Sequence, residues 1–275
     1  MTKKIGFIGG GNMGSAIIGG ILNSGMAQAN NVMVSDIDET KLQYLDDVFH
    51  VNISRSNHEV AKFADILFLA VKPNLYGDVI VDIREHISKD TVIVSVAAGV
   101  SIADMEYYFE SGTVKIIRTM PNTPALVNQG ITAVCLGENV TRVDAEPVIE
   151  MLQGIGEIEI IHEDLFHAFI GVGGSSPAYG YMLIDAMADA AVKHGMSKEQ
   201  ALRISALAIK GAADMYLATG THPVKLKDRV CSPSGTTIEA VITLEEKGYR
   251  NAIISAVNKC VAKSMKMERR EDYHG

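Results

Sequence analysis

Cysteine is scarce in this chain, and the few that occur are scattered. Cys135, Cys231 and Cys260 are the three cysteines among 275 residues, and none stands in a C-x-x-C pair. This spacing argues against both a zinc ribbon and a disulfide framework. A sparse, odd number of cysteines fits a reducing compartment, so we predict a cytoplasmic protein.

Long basic runs and long apolar runs are missing as well. The formal net charge is −8, and basic residues gather only in a short stretch at Arg269 and Arg270. Nucleic-acid binding usually needs a basic stripe, so we expect no nucleic-acid partner. No uninterrupted apolar stretch reaches the roughly 18 residues of a membrane span, and no signal-peptide core follows Met1. We therefore expect no membrane partner either.

The first 160 residues alternate between short apolar runs and helical patterns. Continuous apolar runs of this length are typical of strands buried on both faces of a parallel sheet. The alternation predicts an α/β fold with a doubly wound sheet. The predicted strands are 5–8, 32–36, 66–71, 91–96 and 114–118, with 131–135 and 158–161 as later strands at the sheet edge.

After about residue 163 the chain has helical patterns and no convincing strand. The helix around 182–192 is apolar nearly all round, which predicts either deep burial or a subunit interface. The last long pattern runs from about Thr237 to Lys263, and a charged, solvated tail from Lys266 to Gly275 is expected to follow it. We predict a nucleotide-binding domain over 1–162 and an all-helical domain over 163–275.

A glycine-rich turn follows the first predicted strand. Residues 9–14 read GGGNMG and contain the G-x-G-x-x-G spacing between a strand and a helix. Gly9 permits the tight turn, Gly11 leaves room for a pyrophosphate, and Gly14 lets the helix lie close to the strand. The start of the helix offers free N–H groups to the phosphates. The turn therefore predicts a dinucleotide site; the alternative is a glycine-rich turn without a ligand.

Asp36 ends the second predicted strand, 22 residues after Gly14. An acidic residue at this position binds the adenosine ribose hydroxyl in NAD enzymes. Its charge would repel the 2′-phosphate of NADP, so we expect NADH to be accepted well, although Ser35 beside it can contact a phosphate. The alternative is that Asp36 caps its turn with Asp38.

A second glycine-bearing helix start lies near the C-terminus. Residues 232–239 read SPSGTTIE, in which Thr236 and Glu239 have the spacing of a capping box. A helix N-terminus of this kind suits a small carboxylate. The alternative is that Thr236 and Thr237 merely cap a surface helix.

Six segments of the chain resemble the pyrroline-5-carboxylate reductase family, and the likeness extends over nearly the whole length. They are 5–14 (IGFIGGGNMG), 70–73 (AVKP), 95–99 (SVAAG), 120–124 (MPNTP), 174–179 (GSSPAY) and 226–246 (LKDRVCSPSGTTIEAVITLEE). The first is shared with many dehydrogenases, whereas the last is distinctive of this family. The resemblance implies a Rossmann-like domain, a helical domain that forms homodimers, often assembled into decamers, and reduction of 1-pyrroline-5-carboxylate to L-proline by NADPH or NADH.

The resemblance also implies residue roles. Thr237 would hydrogen-bond the imine nitrogen, and Lys72 would lie at the mouth of the active site as a second candidate catalytic residue. The substrate carboxylate would be held by Val230, Ser232, Gly235, Thr236 and Thr237. The cofactor would contact Gly9, Gly11, Asn12, Met13, Gly14, Ser35, Asp36, Asn57, Ala70, Val71, Lys72, Pro73, Ala97, Ala98, Gly99, Pro121 and Asn122. Some relatives have serine where this chain has Asp36, which puts the usual NADPH preference in question.

A cyclic imine needs little help with proton transfer. Reduction of a ketone creates an alkoxide and calls for a strong proton donor, whereas an imine can arrive protonated, so a neutral Thr237 hydroxyl can suffice. His162 and His167 miss the i, i+4 spacing of zinc ligands, and we predict no metal. Arg118 is left between a cofactor phosphate and an acidic residue of the fold. Two other functions stay open: a β-hydroxyacid dehydrogenase-like or other imine or ketone reductase, and a nucleotide-binding regulator without catalysis.

Overall fold

The computed structural model describes residues 3–268, and within them the backbone divides into two compact units. The first unit comprises residues 3–175 and 260–268, and the second comprises residues 176–259. The predicted domain boundary between 162 and 163 stays a prediction. The compact units divide the backbone elsewhere, since residues 163–175 and the last described residues group with the first unit. Of the solvated tail predicted from Lys266 to Gly275, residues 266–268 end the last helix, where Glu268 pairs with Arg118, and the others lie outside the described residues.

The first unit is built on one eight-stranded sheet of order β3-β2-β1-β4-β5-β6-β7-β8. All neighbouring strands run parallel except β6 and β7, which are antiparallel. The strands are β1 Ile5–Ile8, β2 Val32–Ser35, β3 Asn52–Ser54, β4 Ile66–Leu69, β5 Val92–Ser95, β6 Lys115–Met120, β7 Gly130–Leu136 and β8 Gly156–Ile160. The predicted doubly wound α/β class is confirmed.

Helices cover both faces of this sheet. Phe7 and Phe68 stack on one face with ring centroids 4.7 Å apart, while Leu67 and Leu69 point into the core on the other. Each central strand is therefore buried on both sides, which explains its uninterrupted apolar run. On the Phe7 face lie α1 Asn12–Asn23, α2 Glu39–Phe49 and α6 Arg142–Gln153; on the other lie α3 Asn57–Phe63, α4 Tyr76–Ile83 and α5 Ile102–Phe109.

Two features of the sheet differ from the sequence prediction. β3 was missed because it is a three-residue strand with two exposed positions and no apolar run; the amide of Asn52 ties it to the carbonyls of Asn30 and Val32. β7 does not lie at the edge, because it pairs with β6 on one side and β8 on the other.

The rest of the described chain is helical, as expected. The helices are α7 Phe166–Phe169, α8 Ser176–Lys193, α9 Lys198–Thr219, α10 Pro223–Val230, α11 Thr236–Glu246 and α12 Tyr249–Glu268. The long pattern predicted over 237–263 is two helices, α11 and α12. Gly248 has φ +74° between them, a left-handed conformation that ends a helix and that glycine adopts at little cost.

The nearly all-apolar helix α8 is not deeply buried within the chain. Met182 is 73% exposed and Tyr181 is 61% exposed, while Ala188 is buried. Of the two predictions for this segment, deep burial in the chain is therefore wrong, and a subunit interface remains. None of the helices in the described part of the chain is long and apolar enough to cross a membrane.

Candidate active site

The glycine turn joins β1 to α1 at the carboxyl end of the sheet. Gly9 has φ +105°, and a Cβ there would lie 2.5 Å from the carbonyl oxygen of Ala70. A Cβ on Gly14 would lie 2.4 Å from the Gly9 carbonyl oxygen, so neither position accepts a side chain. By contrast, a Cβ on Gly11 would meet nothing within 4 Å. Steric limits therefore require glycine at positions 9 and 14, whereas the space next to Gly11 is open.

The start of α1 is suited to an anion. Its N-cap residue is Gly11, and no side chain caps it. The amides of the first turn of a helix have no partner inside the helix, and they carry its positive dipole. The open space at Gly11 and these amides together accommodate a pyrophosphate group.

A cleft of about 370 Å³ begins at this turn. It is enclosed by residues that follow β1, β2 and β4, together with Asn57 at the start of α3. Eight residues predicted to bind cofactor line it: Gly9, Gly11, Ser35, Asp36, Asn57, Ala70, Val71 and Lys72. Five further lining residues were missed by sequence reasoning: Ile8, Ile37, Lys41, Leu75 and Val79.

Asp36 lies in this cleft with its carboxylate held in place. Its Oδ2 accepts a hydrogen bond of 2.8 Å from the Gly10 amide, and its Oδ1 accepts one of 2.9 Å from the Asp38 amide. The turn-capping role that the sequence left open is therefore present. Each carboxylate oxygen has two acceptor sites, so this bonding is compatible with a ribose hydroxyl as a further partner.

Ser35 is buried, with 2% of its surface exposed, and its hydroxyl donates to Oδ1 of Asn57 at 2.8 Å. The two side chains thus form a hydrogen-bonded pair that lines the cleft. Beside them, hydrogen bonds from the hydroxyl and the amide of Thr40 lower the pKa of the Asp38 carboxyl below its usual value, and the charge of Lys41 adds to this effect. Two carboxylates and one ammonium group therefore follow β2, and of these Asp36 and Lys41 line the cleft.

The other predicted cofactor residues do not line the cleft, but they occur where the topology brings strand ends together. Ala97, Ala98 and Gly99 follow β5, and Pro121 and Asn122 follow β6. These strands run parallel to β4, so their carboxyl ends lie along the same sheet edge. Asn12, Met13 and Gly14 are in α1, and Pro73 opens a short 3₁₀ helix after β4.

The side chain of Asn122 has structural partners. Its amide nitrogen donates to the Gly173 carbonyl at 2.9 Å, and its oxygen accepts from the Ile131 amide at 3.0 Å. Asn122 therefore links the end of β6 to β7 and to the turn before α8. Its predicted contact with the nicotinamide stays a prediction.

Arg118 pairs with acidic residues of the fold, which decides the question that the sequence left open. It is 1% exposed, and its guanidinium lies 2.8 Å from Glu163 and 3.1 Å from Glu268. Its charge also sits 4.6 Å from the centre of the Phe166 ring. His167 contacts Glu268 and Ser264, so it belongs to the same cluster. Within residues 3–268, no group of three His, Cys, Asp or Glu side chains is arranged to hold a metal ion.

The second predicted anion site lies in the other unit, at the start of α11. The predicted capping box between Thr236 and Glu239 is wrong, because the N-cap residue is Gly235 and no side chain caps the helix. Ser234 has φ +56°, and a Cβ on Gly235 would lie 2.4 Å from Oγ of Ser232, so a side chain at this position would force the Ser232 side chain to move. Thr236 and Thr237 are consequently the first two residues of α11, whose first amides lack a side-chain cap.

Fold and cleft together define a dinucleotide-binding α/β protein of the doubly wound type. The order β3-β2-β1-β4 reverses direction between β1 and β4, and ligands of such sheets bind at that reversal, outside the carboxyl ends of the strands. The glycine turn and Asp36 lie at this point.

Comparison with known proteins identifies the family. A model of the pyrroline-5-carboxylate reductase dimerisation domain matches residues 163–267, and a model of coenzyme F420-dependent NADP oxidoreductases matches residues 4–99. The chain is 49% identical over 269 residues to pyrroline-5-carboxylate reductase of Escherichia coli K12, covering 98% of this chain and 100% of that protein. It therefore belongs to the pyrroline-5-carboxylate reductase family.

Solved structures agree with this assignment. The pyrroline-5-carboxylate reductase of Coxiella burnetii is 30% identical with a TM-score of 0.89, covering 97% of this chain and 99% of that one. The pyrroline carboxylate reductase of Plasmodium falciparum, solved with NADP bound, is also 30% identical, with a TM-score of 0.88 and coverage of 97% and 98%.

Proposed function

We propose that this protein is an NAD(P)H-dependent oxidoreductase that reduces 1-pyrroline-5-carboxylate to L-proline, the last step of proline biosynthesis. The observation that carries the proposal is the glycine-cradled cleft in a chain that is 49% identical to the Escherichia coli reductase over its full length. The nicotinamide group, when bound, supplies the hydride. The protein has to bind the two reactants and orient them.

The first unit would bind the cofactor. The start of α1 and the open space at Gly11 would hold the pyrophosphate, and Asp36 with the Ser35–Asn57 pair would hold the adenosine end. Lys72, Ala97 and Pro121, which follow β4, β5 and β6, would lie toward the nicotinamide end. This division follows from the strand order, because β2 and β5 lie on opposite sides of β1.

The turn before α11 would bind the substrate. The amides of Thr236 and Thr237, the first two residues of α11, would hold the substrate carboxylate, since the start of a helix favours an anion. The Gly235 amide already donates to the Ser232 carbonyl at 3.0 Å, so Gly235 would shape the turn around the substrate. Val230 and Ser232 flank the same turn. The Thr237 hydroxyl would hydrogen-bond the ring nitrogen.

If the substrate is an imine, this turn does not need a strong acid to donate a proton during reduction. A protonated imine already has an electrophilic carbon, and its product is a neutral amine rather than an alkoxide. Orientation alone can then lower the barrier by several kcal/mol. A hydroxyacid dehydrogenase would need a positioned proton donor such as Lys or His, whereas the turn at 232–237 offers only hydroxyl and amide groups.

We also propose that the protein acts in the cytoplasm as a homodimer formed through the helical domain, with a decamer as the higher assembly. Residues 163–267 match a dimerisation domain. Apolar side chains of the second unit, Met182 and Leu217 among them, are about three quarters exposed in the single chain. All three cysteines are free, which supports a reducing compartment.

The experiment that tests the reaction follows the absorbance of NADH and of NADPH while 1-pyrroline-5-carboxylate is added to the purified protein. We expect substrate-dependent oxidation and the appearance of proline in equal amount. Cofactor binding without oxidation would leave a dinucleotide-binding regulator as the function. Oxidation with other imines or with keto acids, but not with this substrate, would favour the related reductases.

The same assay tests Thr237. Replacing it with Ala removes the hydroxyl from the ring nitrogen, and loss of a positioned proton partner costs roughly 10²- to 10⁴-fold in rate. We expect turnover to fall by a factor in this range. NADH should still bind, as seen from the change in its nicotinamide fluorescence. Thr237→Ser is the matched control, because it keeps the hydroxyl and should retain much of the rate. Wild-type turnover in Thr237→Ala would remove Thr237 from the mechanism.

A further inference from the structure

Lys41 places an ammonium group at the edge of the dinucleotide cleft. It is the third residue of α2, it lines the cleft, and its side chain is 45% exposed. Its Nζ lies 3.7 Å from Oδ1 of Asp36 and 3.8 Å from Oδ2 of Asp38. Both distances exceed the hydrogen-bonding range of about 2.7–3.2 Å. The ammonium group is therefore attracted to two carboxylates but is bonded tightly to neither.

Asp36 by itself would discriminate against a phosphorylated ribose. Its carboxylate is fixed by the amides of Gly10 and Asp38, so it cannot easily swing away. A phosphate monoester carries roughly 1.5 to 2 negative charges at neutral pH. A protein that is to bind NADPH here needs a cation close to Asp36 to offset that repulsion.

Among residues 3–268, two cations line the cleft, and they lie on opposite sides of it. Lys72 follows β4, whereas Lys41 follows β2, and β1 lies between these two strands. Arg55, which follows β3, is another candidate, but it is paired with Glu39 at 2.8 Å and lines a separate hollow with Ile53. Lys41 is thus the cleft-lining cation next to Asp36.

We propose that Lys41 is a specificity-determining residue that binds the 2′-phosphate of NADPH and so lets this chain accept NADPH despite Asp36. A lysine has a flexible four-carbon stem, so the ammonium group can turn from the carboxylates to the phosphate. With NADH it stays beside Asp36, which is free to bind the ribose hydroxyls. The inference rests on the proposed function only in taking the cofactor to be a nicotinamide dinucleotide.

Direct binding of the two cofactors tests the proposal, because NADH and NADPH differ only in the 2′-phosphate. We would measure both dissociation constants from nicotinamide fluorescence, without substrate, for the wild type and for Lys41→Met, Lys41→Arg and Arg55→Met. Methionine keeps much of the length of the stem and removes the charge. Lys62→Met, an exposed lysine of α3 outside the cleft, is the matched control.

We expect Lys41→Met to weaken NADPH binding by about tenfold, the size of one lost charge-assisted contact, and to change NADH binding by less than about twofold. Lys41→Arg should restore NADPH binding, and the wild type should lose NADPH affinity more steeply with added salt than Lys41→Met does. A merely structural role would weaken both cofactors alike.

An unchanged ratio of the two affinities in Lys41→Met would overturn the proposal, and so would a loss confined to Arg55→Met, which would assign the phosphate to Arg55. Failure of the wild type to bind either cofactor would overturn it as well. If the imine assay fails while Lys41→Met still loses NADPH selectively, the cofactor inference stands and the proposed reaction falls.

Discussion

At the scale of single residues, Asp36 links three parts of the cofactor site. Its carboxylate holds the Gly10 amide of the glycine turn and the Asp38 amide before α2, and it borders the ammonium group of Lys41. A charge in this position affects a ribose hydroxyl and a ribose phosphate in opposite ways. Cofactor choice is therefore expected to depend on this residue more than on the rest of the cleft.

Replacing Asp36 with Ser should raise the use of NADPH relative to NADH by about tenfold, because one fixed negative charge is removed from beside the 2′-phosphate. The measurement is the ratio of kcat/KM for the two cofactors with the same substrate. The ratio is informative even if loss of the bond to Gly10 weakens both cofactors.

Asp38→Ser is the matched control for this change. Asp38 carries the same charge two residues further along the chain, but its side chain bonds to Thr40 and does not line the cleft. We expect a much smaller change in the cofactor ratio. Equal ratios in Asp36→Ser and the wild type would show that the Asp36 charge does not decide cofactor choice.

At the scale of secondary-structure elements, Tyr76 fastens α4 to the ends of two strands. Its ring is 1% exposed, and its hydroxyl donates to the Leu69 carbonyl at 2.5 Å. The same oxygen accepts from the hydroxyl of Ser95 at 3.1 Å and from the amide of Val96 at 3.3 Å. The loops that carry Ala70 and Ala97 leave β4 and β5 at these points, so Tyr76 supports both.

Burial raises the pKa of Tyr76 to about 12 from its usual value of 10.0, because an ionised phenol would lose its solvation. The unfolded chain ionises near pH 10 while the folded chain still holds the proton, so the contribution of Tyr76 to stability falls as the pH rises from about 10 to about 12. By pH 11 the loss amounts to roughly 1 kcal/mol.

Urea unfolding of the wild type and of Tyr76→Phe checks this expectation. At pH 8 the wild type should be more stable by about 1 kcal/mol, the net value of a typical hydrogen bond. At pH 11 that difference should shrink or reverse, because the phenyl ring of the variant does not titrate. The same measurements on Tyr44→Phe, whose ring is 54% exposed, record the effect of losing an exposed hydroxyl. A constant difference at the two pH values would contradict the prediction.

At the scale of the whole molecule, the second unit exposes more apolar surface than a monomer tolerates well. Tyr181, Met182, Ile204, Leu207 and Leu217 are all more than half exposed. Large exposed apolar areas of this kind mark interaction surfaces. The match of residues 163–267 to a dimerisation domain explains this surface.

Met182→Lys and Leu217→Lys should each weaken the oligomer, because a buried, unpaired charge at an interface costs several kcal/mol. Light scattering on diluted samples should show the mass falling toward the 29.6 kDa of one chain. Val143→Lys is the matched control, since Val143 is 79% exposed but lies on α6 in the other unit. Retention of the wild-type mass by both variants would place the interface elsewhere.

Much of the fold and part of the site were predictable because their causes are local. The apolar runs of β1, β4 and β5 report burial on both faces, and the GGGNMG turn reports positions where a side chain cannot fit. The cofactor residues after β1, β2 and β4 lie in one cleft for the same reason, since parallel strands bring their carboxyl ends to one edge. Their individual contacts with cofactor and substrate stay predictions.

Other features depend on partners that are distant in sequence. β3 has no apolar pattern, because it is a short, half-exposed strand that is held by pairing to β2. The sequence prediction placed the N-cap at Thr236, one residue too late, because the helix start depends on the backbone of the turn before it, in which the Gly235 amide donates to the Ser232 carbonyl. Lys41 had one usable signal: helical side chains point back toward the N-terminus, which aims the first turn of α2 at the loop after β2.

By itself, the sequence determined the family, the α/β class and the glycine turn, because each is encoded in short, local patterns. Tertiary structure alone decided which side chains meet across long separations. Arg118 finds Glu163 and Glu268, which are 45 and 150 residues away, and Lys41 enters the cleft beside Asp36. The reason is physical: steric limits and burial act along neighbouring residues, whereas the pairing of charges depends on which chain segments the packed sheet brings within a few ångströms.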